Sequence, residues 1–435
     1  MAIPPVEIVL DPLAGQTCYA PVAVLGSWLR HTQFLAPIWT TLDWPFKVYD
    51  HTVVAKLETL LVSLLVGNRA VYQIETTIRP DRVLAQAWGQ RQFPQHSTIA
   101  DMLNRVSPAE VTHLQHGIAL WMQQHSRTLQ HPFAAHWLLL DYDSTGLLAA
   151  KTAQASAKGF FSGQRNRYGR QLVRLSAPSY HETLTSALYA GNTQAFTTLK
   201  DTITAFEQQL PAAQEHRHQI IIRSDAGIGT DTNINWLLWR GYHVLTKGFS
   251  HTRALAQARR VAAEGWLQDG ESTRWIALAP NPPRFGRRTL MYVVRWVTPG
   301  GWRYSTLISS LPDLPPLSTW HLYDGRGAIE VEIRADKQGL RLPKRHRRQL
   351  PAQLVLVLLT DITHNLLSWL HAATLADGPC AEFGSLRMVE DLLAIPGQLE
   401  FKGDHLTKVA LLATHPLAPV MQKALTKLLK CASIP

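Results

Sequence analysis

The sequence predicts an α/β protein with a helical N-terminal part and a β-patterned stretch set into its α/β part. Three observations predict this. Apolar side chains before residue 130 recur at helical spacing. Two short apolar runs, Trp137-Leu138-Leu139-Leu140 and Gln219-Ile220-Ile221-Ile222, each end in aspartates, as buried strands of α/β folds do. Residues 272–312 switch to strand-like patterning broken by Asn281-Pro282-Pro283 and Pro299-Gly300-Gly301.

Along the chain, Val53, Leu57, Leu60, Leu61 and Leu64 mark one helix, and Gly67-Asn68 stops it. Ser107-Pro108-Ala109-Glu110 starts another: serine caps free amides, proline suits the first turn and glutamate reaches back. Thr98-Ile99-Ala100-Asp101 is a weaker start. The runs at 137 and 219 read as strands, with a helix over His181–Phe206 between them. Asn233–Gly241 then reads as a helix and Tyr242–Leu245 as a strand. Trp275–Leu278, Thr289–Val297 and Trp302–Ser309 are the strands of the β stretch. Leu354–Ala373 reads as a long buried helix, Gln398–Leu412 as a hairpin turning at Gly403-Asp404, and Pro416–Leu429 as a last helix. The expected division is 1–130 helical, the kind of domain that often holds DNA, 131–251 and 321–376 the two parts of the core, 252–320 a β-rich insertion, and 377–435 a C-terminal hairpin and helix.

With 435 residues, 46% apolar and 17% charged, the chain can bury a large core. Its 43 basic and 32 acidic side chains give a net charge of +11, which favours a polyanionic partner through counterion release. The cysteines Cys18, Cys380 and Cys431 are far apart and odd in number, so neither a disulfide framework nor zinc spacing is read, and a reducing cytoplasm fits. Met1-Ala2-Ile3-Pro4-Pro5 lacks the regions of a signal peptide. Leu57–Gly67 is too short to span a bilayer, and Asp361, His364 and Asn365 interrupt Leu354–Leu370, so no membrane is expected.

The candidate chemistry begins with Asp143 and Asp225. Hard divalent cations want oxygen ligands, and two carboxylates on separate buried strands invite that reading. Two ions call for a third carboxylate. Glu330 lies in Tyr323-Asp324-Gly325-Arg326-Gly327-Ala328-Ile329-Glu330, with Lys337 beyond. On one helix, Tyr323, Arg326, Glu330 and Lys337 fall at about 0°, −60°, −20° and −40°, a single narrow face. Against this, Ile329, Val331 and Ile333 alternate with Glu330, Glu332 and Arg334, and two glycines precede Ala328. By periodicity alone, strand and helix stand level.

Tyr-x2-Arg-x3-Glu-x6-Lys is the signature of the insertion-sequence-four superfamily of bacterial DDE transposases, and the chain resembles that superfamily at all four positions. Leu140-Asp141-Tyr142-Asp143-Ser144-Thr145 resembles its first-aspartate motif, and Ile222-Arg223-Ser224-Asp225-Ala226-Gly227 its second, although relatives often carry serine where Ala226 stands. The 105 residues from Asp225 to Glu330 leave room for a β insertion. Asn365 also resembles a recurrent family position. The resemblance covers roughly residues 130–375. It implies a ribonuclease-H-like core, a mixed five-stranded sheet flanked by helices, with Glu330 on a helix. It further implies that Asp143, Asp225 and Glu330 hold two magnesium or manganese ions, with Asp141 as the alternative first ligand. Tyr323, Arg326 and Lys337 would hold phosphates, and Trp296 or Trp302 would stack a flipped base. The implied partners are double-stranded DNA, as terminal inverted repeats and target, and a second copy in a synaptic dimer. The implied location is the bacterial cytoplasm, at the nucleoid.

Three basic stretches flank these motifs. Lys158–Arg174 contains Arg165, Arg167 and Arg170; Pro282–Arg303 contains Arg287 and Arg288; Lys344-Arg345-His346-Arg347-Arg348 follows Lys337. Any one alone reads as a solvated face; the three together read as a DNA track. His113, His116, His216 and His218 form no coherent ligand set, and most tryptophans read as core. Two rival readings remain. Asp141-Tyr142-Asp143-Ser144-Thr145 also resembles the opening of haloacid-dehalogenase phosphatases, with Asp141 as nucleophile. A transposase descendant that binds DNA without chemistry is the other.

Overall fold

The computed structural model describes residues 15–431 apart from Ser162, Pro312 and Asp313. The leader-free reading of Met1–Pro5 therefore lies outside the described residues. The N-terminal part holds helices α1 (Ala20–His31), α2 (Val53–Leu65), α3 (His96–Arg105) and α4 (Pro108–His125). Ser107 and Glu110 form the expected capping box: Ser107 Oγ accepts from the Ala109 amide at 3.2 Å, and Glu110 Oε2 accepts from the Ser107 amide at 2.8 Å. The weaker capping signal at Thr98 is misplaced by three residues, because α3 opens at His96 with Gln95 at the cap position and no side-chain cap.

The centre is β1 (Leu138–Leu148), β2 (Ala157–Phe161), β3 (Gln164–Ala177), β4 (Glu182–Ala190), α5 (Ala195–Gln209), β5 (Ile220–Ser224), α6 (Asp231–Arg240) and β6 (His243–Lys247). Strands β4-β3-β1-β5-β6 form the mixed sheet: β4, β3 and β1 run antiparallel, and β1, β5 and β6 run parallel. Two expectations fail here. Residues 182–190 form strand β4, not the first half of a helix. Tertiary pairing wins over local pattern: β4 pairs with β3, and the Asn365 side chain binds both the amide and the carbonyl of Thr183. Nor does β1 end at its aspartates. Its parallel partner stops at Tyr142↔Ser224, but antiparallel pairing with β3 carries it on to Leu148↔Gly169.

After α7 (His251–Ala258) come β7 (Leu267–Gln268), β8 (Arg274–Leu278), β9 (Leu290–Thr298) and β10 (Gly301–Ser309). Strand β10 pairs antiparallel with β6, so the β-rich stretch extends the same sheet rather than forming a separate one. Helices α8 (Pro316–Asp324), α9 (Gly327–Gln338) and α10 (Leu350–Thr374) follow, then β11 (Gly397–Lys402), β12 (His405–Leu411) and α11 (Ala418–Lys430). The terminal hairpin pairs with the short strand Gln16–Thr17.

Helix α10 is long and apolar enough to cross a membrane, yet 83% of its apolar window is buried inside the fold. Leucines from α2 and α10, Trp121 of α4 and Leu425 of α11 belong to one hydrophobic core with the sheet. Helices α2, α4 and α11, from both halves of the chain, thus pack around α10, which backs the sheet. A buried carboxylate reinforces this junction. Glu182 accepts from Ser126 Oγ (2.7 Å), Thr128 Oγ1 (2.5 Å), Trp369 Nε1 (2.6 Å) and two backbone amides.

Candidate active site

Asp143 and Asp225 reach the same place from neighbouring strands. In the parallel pairing of β1 with β5, Tyr142 lies opposite Ser224, and each aspartate is the next residue. Alternation puts Asp141 and Asp143 on one sheet face and Tyr142 on the other, where its hydroxyl meets Thr198 of α5 at 2.5 Å. Asp141 and Asp143 then divide the labour. Asp141 is fully buried and holds Arg223 in a two-pronged ion pair at 2.6 and 2.7 Å, while Arg223 Nη1 donates to the Leu322 carbonyl at 2.6 Å. That ties β1 and β5 to α8. An aspartate so engaged is unavailable as a nucleophile, which removes the geometric basis of the phosphatase alternative.

Residues 327–338 are helical, so the alternating pattern around Glu330 loses to the helical spacing. The glycines do interrupt the element: α8 ends at Asp324 and α9 begins at Gly327, with helical backbone angles kept at Gly325 and Arg326. Arg326 sits at this joint. Its guanidinium pairs with Glu330 at 2.9 Å and approaches Asp143 at 3.7 Å, bridging the helix carboxylate to a strand carboxylate. Burial, then repulsion from Asp225 and Glu330, outweighs Arg326 and pushes Asp143 up to about 6. Lys337 donates to Thr145 Oγ1, one strand residue pair beyond Asp143. Burial, then Arg174, pulls the Lys337 ammonium down.

Tyr323 and Arg326 are only 4% and 8% exposed, so the direct phosphate contacts expected of them are not open in this conformation. Tyr323 instead packs beside Trp320, and burial pushes its hydroxyl up to about 12. Sequence reasoning missed Lys247, the last residue of β6. Its ammonium lies 5.2 Å from the Tyr323 ring centroid and 5.8 Å from that of Trp320, and burial, then Arg326, lowers it. The signal was available: it ends the third parallel strand, where such folds build sites.

The basic stretches separate into two kinds. Arg165, Arg167, Arg287, Arg288 and Lys344 are exposed. Arg170 and Arg345, expected to meet DNA, are buried and serve the chain itself. Arg170 donates to the carbonyls of Gln154, Arg347 and Arg348 at 2.8, 3.0 and 2.7 Å. Arg345 donates to the carbonyls of Ser63, at 3.0 Å, and Asn68, near the end of α2. The stacking candidates also part. Residues paired across β9 and β10 share a face, and Trp302 opposes Val297, on the side of Arg295. There Arg295 lies 4.1, 5.4 and 4.8 Å from the ring centroids of Trp266, Trp275 and Trp302. Trp296 is on the other face, packed with the cluster that contains Trp320 and Tyr323. Of the two, Trp296 faces the carboxylate side.

Among the described residues, no group of three His, Cys, Asp or Glu side chains stands close enough to hold a metal ion. The donors nevertheless fit one chemically. They are hard oxygens, Asp143 is crowded by two further carboxylates, and the positive charge now among them is Arg326. Glu330, with its side chain 55% exposed, has room to turn.

A mixed β4-β3-β1-β5-β6 sheet with carboxylates on its central strands and on a following helix is a ribonuclease-H-like core. The family model described as "Transposase DDE domain group 1" matches residues 32–433, and the chain belongs to that family. It is a DDE transposase, an enzyme that cleaves and transfers DNA strands; such enzymes work with divalent metal ions. Among solved structures, the piggyBac transposase synaptic complex with hairpin DNA is similar over 96% of this chain and 84% of that one, with 10% identity and a TM-score of 0.47. A pre-cleavage Mos1 transpososome is similar over 46% of this chain and 60% of that one, with 12% identity and a TM-score of 0.18. No curated protein matches.

Proposed function

We propose that this transposase excises and inserts an insertion sequence, with Asp143, Asp225 and Glu330 as ligands of two divalent ions, magnesium or manganese. The observation that carries the reading is Arg326, which pairs with both Asp143 and Glu330 and so draws the helix carboxylate toward the strand carboxylates. Bound there, such ions activate the attacking oxygen and stabilise the leaving one. The chain's own residues do the positioning. Sheet register fixes Asp143 beside Asp225, Arg326 offsets the mutual repulsion of the carboxylates, and Thr145 holds Lys337 near Asp143. In the first reaction water attacks phosphorus, the bond to the 3′ oxygen breaks, and a 3′ hydroxyl is released. In the second that hydroxyl attacks a target phosphodiester and displaces another 3′ oxygen.

The signature Tyr323-x2-Arg326-x3-Glu330-x6-Lys337 assigns the protein to the insertion-sequence-four superfamily. Lys337 and Lys247 would meet phosphates, and Trp296 would stack an extruded base. The helical segment before residue 130 would recognise terminal inverted repeats. Two copies would pair the two element ends in the bacterial cytoplasm. The test is cleavage of labelled duplex carrying an element end, with magnesium or manganese, by wild type and Glu330→Gln. End-specific, metal-dependent cutting that disappears in the variant while binding persists is expected. Equal cutting by both proteins would refute the assignment of Glu330.

A further inference from the structure

Strand β3 outruns its neighbour. Only Gly169–Ser176 pair with β1, whereas the preceding residues Gln164–Tyr168 pair with β2 alone. Residues 157–161 and 164–168 therefore form a two-stranded ribbon, which curls back so that the Phe161 ring meets Gly146 of β1. We propose that this ribbon docks on duplex DNA and that Phe160 wedges into a base step away from the cleavage site. The inference rests on the reading of Asp143 as part of the cleavage centre and adds a second contact to it.

The ribbon is held rigidly by its other phenylalanine. Phe161 is buried against Gly146, Gly159 and Gly169, where a Cβ would come within 2.0, 2.9 and 3.0 Å of its ring. Those three glycines make the space that the ring fills. The pairing slips between Gly159 and Phe161, a bulge that re-aims the residue between them. That residue is Phe160, which is 64% exposed. It has no packing role, and apolar side chains presented in this way serve as wedges between bases.

Charge identifies the partner. Lys151, Lys158, Arg165 and Arg167 are exposed on and beside the ribbon, and no acidic residue occurs between Asp143 and Glu182. The buried Arg170 draws the loop bearing Lys344 and Arg348 to the ribbon's base through the carbonyls of Arg347 and Arg348. Two basic stretches distant in sequence thus become one cationic surface, and a two-stranded ribbon is of a size that a DNA groove admits. Arg174 lies opposite Asp143, and Gly146, which the Phe161 ring covers, is three residues from Asp143 on β1.

The test uses the full chain on duplexes carrying an element end with 2-aminopurine at successive positions. Wild type should raise the fluorescence at one base step, away from the cut phosphate. Phe160→Ala should lose that signal, and Phe160→Leu should keep most of it. Arg165→Gln/Arg167→Gln should lower the slope of log binding constant against log salt by about 2. No signal in wild type, or a signal unchanged in Phe160→Ala, overturns the wedge; an unchanged salt slope overturns the docking surface. A wild type that shows the signal but cuts nothing would remove the catalytic reading and leave this one standing.

Discussion

Replacing Arg174 with methionine should unsettle both stability and catalysis. Arg174 is buried between Asp336 on α9, at 2.5 Å, and Asp361 on α10, at 2.6 Å. One guanidinium thus serves two carboxylates that water does not reach. Removing one partner of a buried pair costs about 3–5 kcal/mol, because the remaining charge is left uncompensated. Asp336 keeps His364 at 2.8 Å, so a middle value of about 4 kcal/mol is reasonable. For 435 residues the unfolding entropy is roughly 0.9 kcal/mol/K, which converts that loss to about 4 °C in Tm. Asp336 also lies six residues beyond Glu330 on α9, so the lost anchor frees the helix that carries the candidate ligand. Cleavage should therefore fall by more than the folded fraction does. Thermal unfolding followed by circular dichroism, beside end cleavage, measures both. Arg174→Met/Asp336→Leu/Asp361→Leu should recover part of the Tm, since both carboxylates leave with the guanidinium and only His364 loses a partner, but not the cleavage. A single variant as stable as wild type, or a triple variant no better than the single, would refute the reasoning.

Three further outcomes are expected. Burial pulls the His364 imidazole down, but Asp336 and then Glu332 more than offset this and Arg174, raising it to about 9. Its stabilising contribution is complete below the unfolded value of about 6.5 and is lost as pH rises through about 9. Wild-type Tm should then fall more steeply than that of His364→Gln above neutrality; parallel curves would contradict the pairing. Arg345→Met strands the carbonyls of Ser63 and Asn68 at about 1–3 kcal/mol each, lowering Tm while leaving the salt dependence of DNA binding unchanged. Gly146→Val should drive the Phe161 ring from its niche, seen as faster proteolysis within the ribbon at 157–169.

The elements that sequence reasoning placed well are those whose local pattern agrees with their surroundings. The capping box at Ser107 and the hairpin at Gly403 need only near neighbours. The strands β1 and β5 carry apolar runs because both faces are covered. What stayed hidden depends on distant partners. Strand β4 is set by β3 and by Asn365, far along the chain. The closeness of Arg326 to Asp143 is likewise a product of the fold, although its place four residues before Glu330 is visible in the sequence.

Arginine is where composition misleads most. Arg170, Arg174, Arg223, Arg326 and Arg345 are all buried, yet each contributes to the net charge that suggested a DNA partner. A guanidinium offers five donors in a rigid fork, so it can satisfy several carbonyls or two carboxylates at once inside a protein. The surroundings distinguish the two uses. Arg165 and Arg167 stand among Gln164, Asn166 and Tyr168, whereas Arg174 stands between Val173 and Leu175. The change falls near Gly169, where β3 leaves the ribbon and enters the sheet. Basic residues on the polar side of that point remain available to phosphate; those on the apolar side are committed to holding α9, α10 and the 344–348 loop in place. A neutralising substitution on the first side should therefore alter the salt dependence of DNA binding, and one on the second should alter folding.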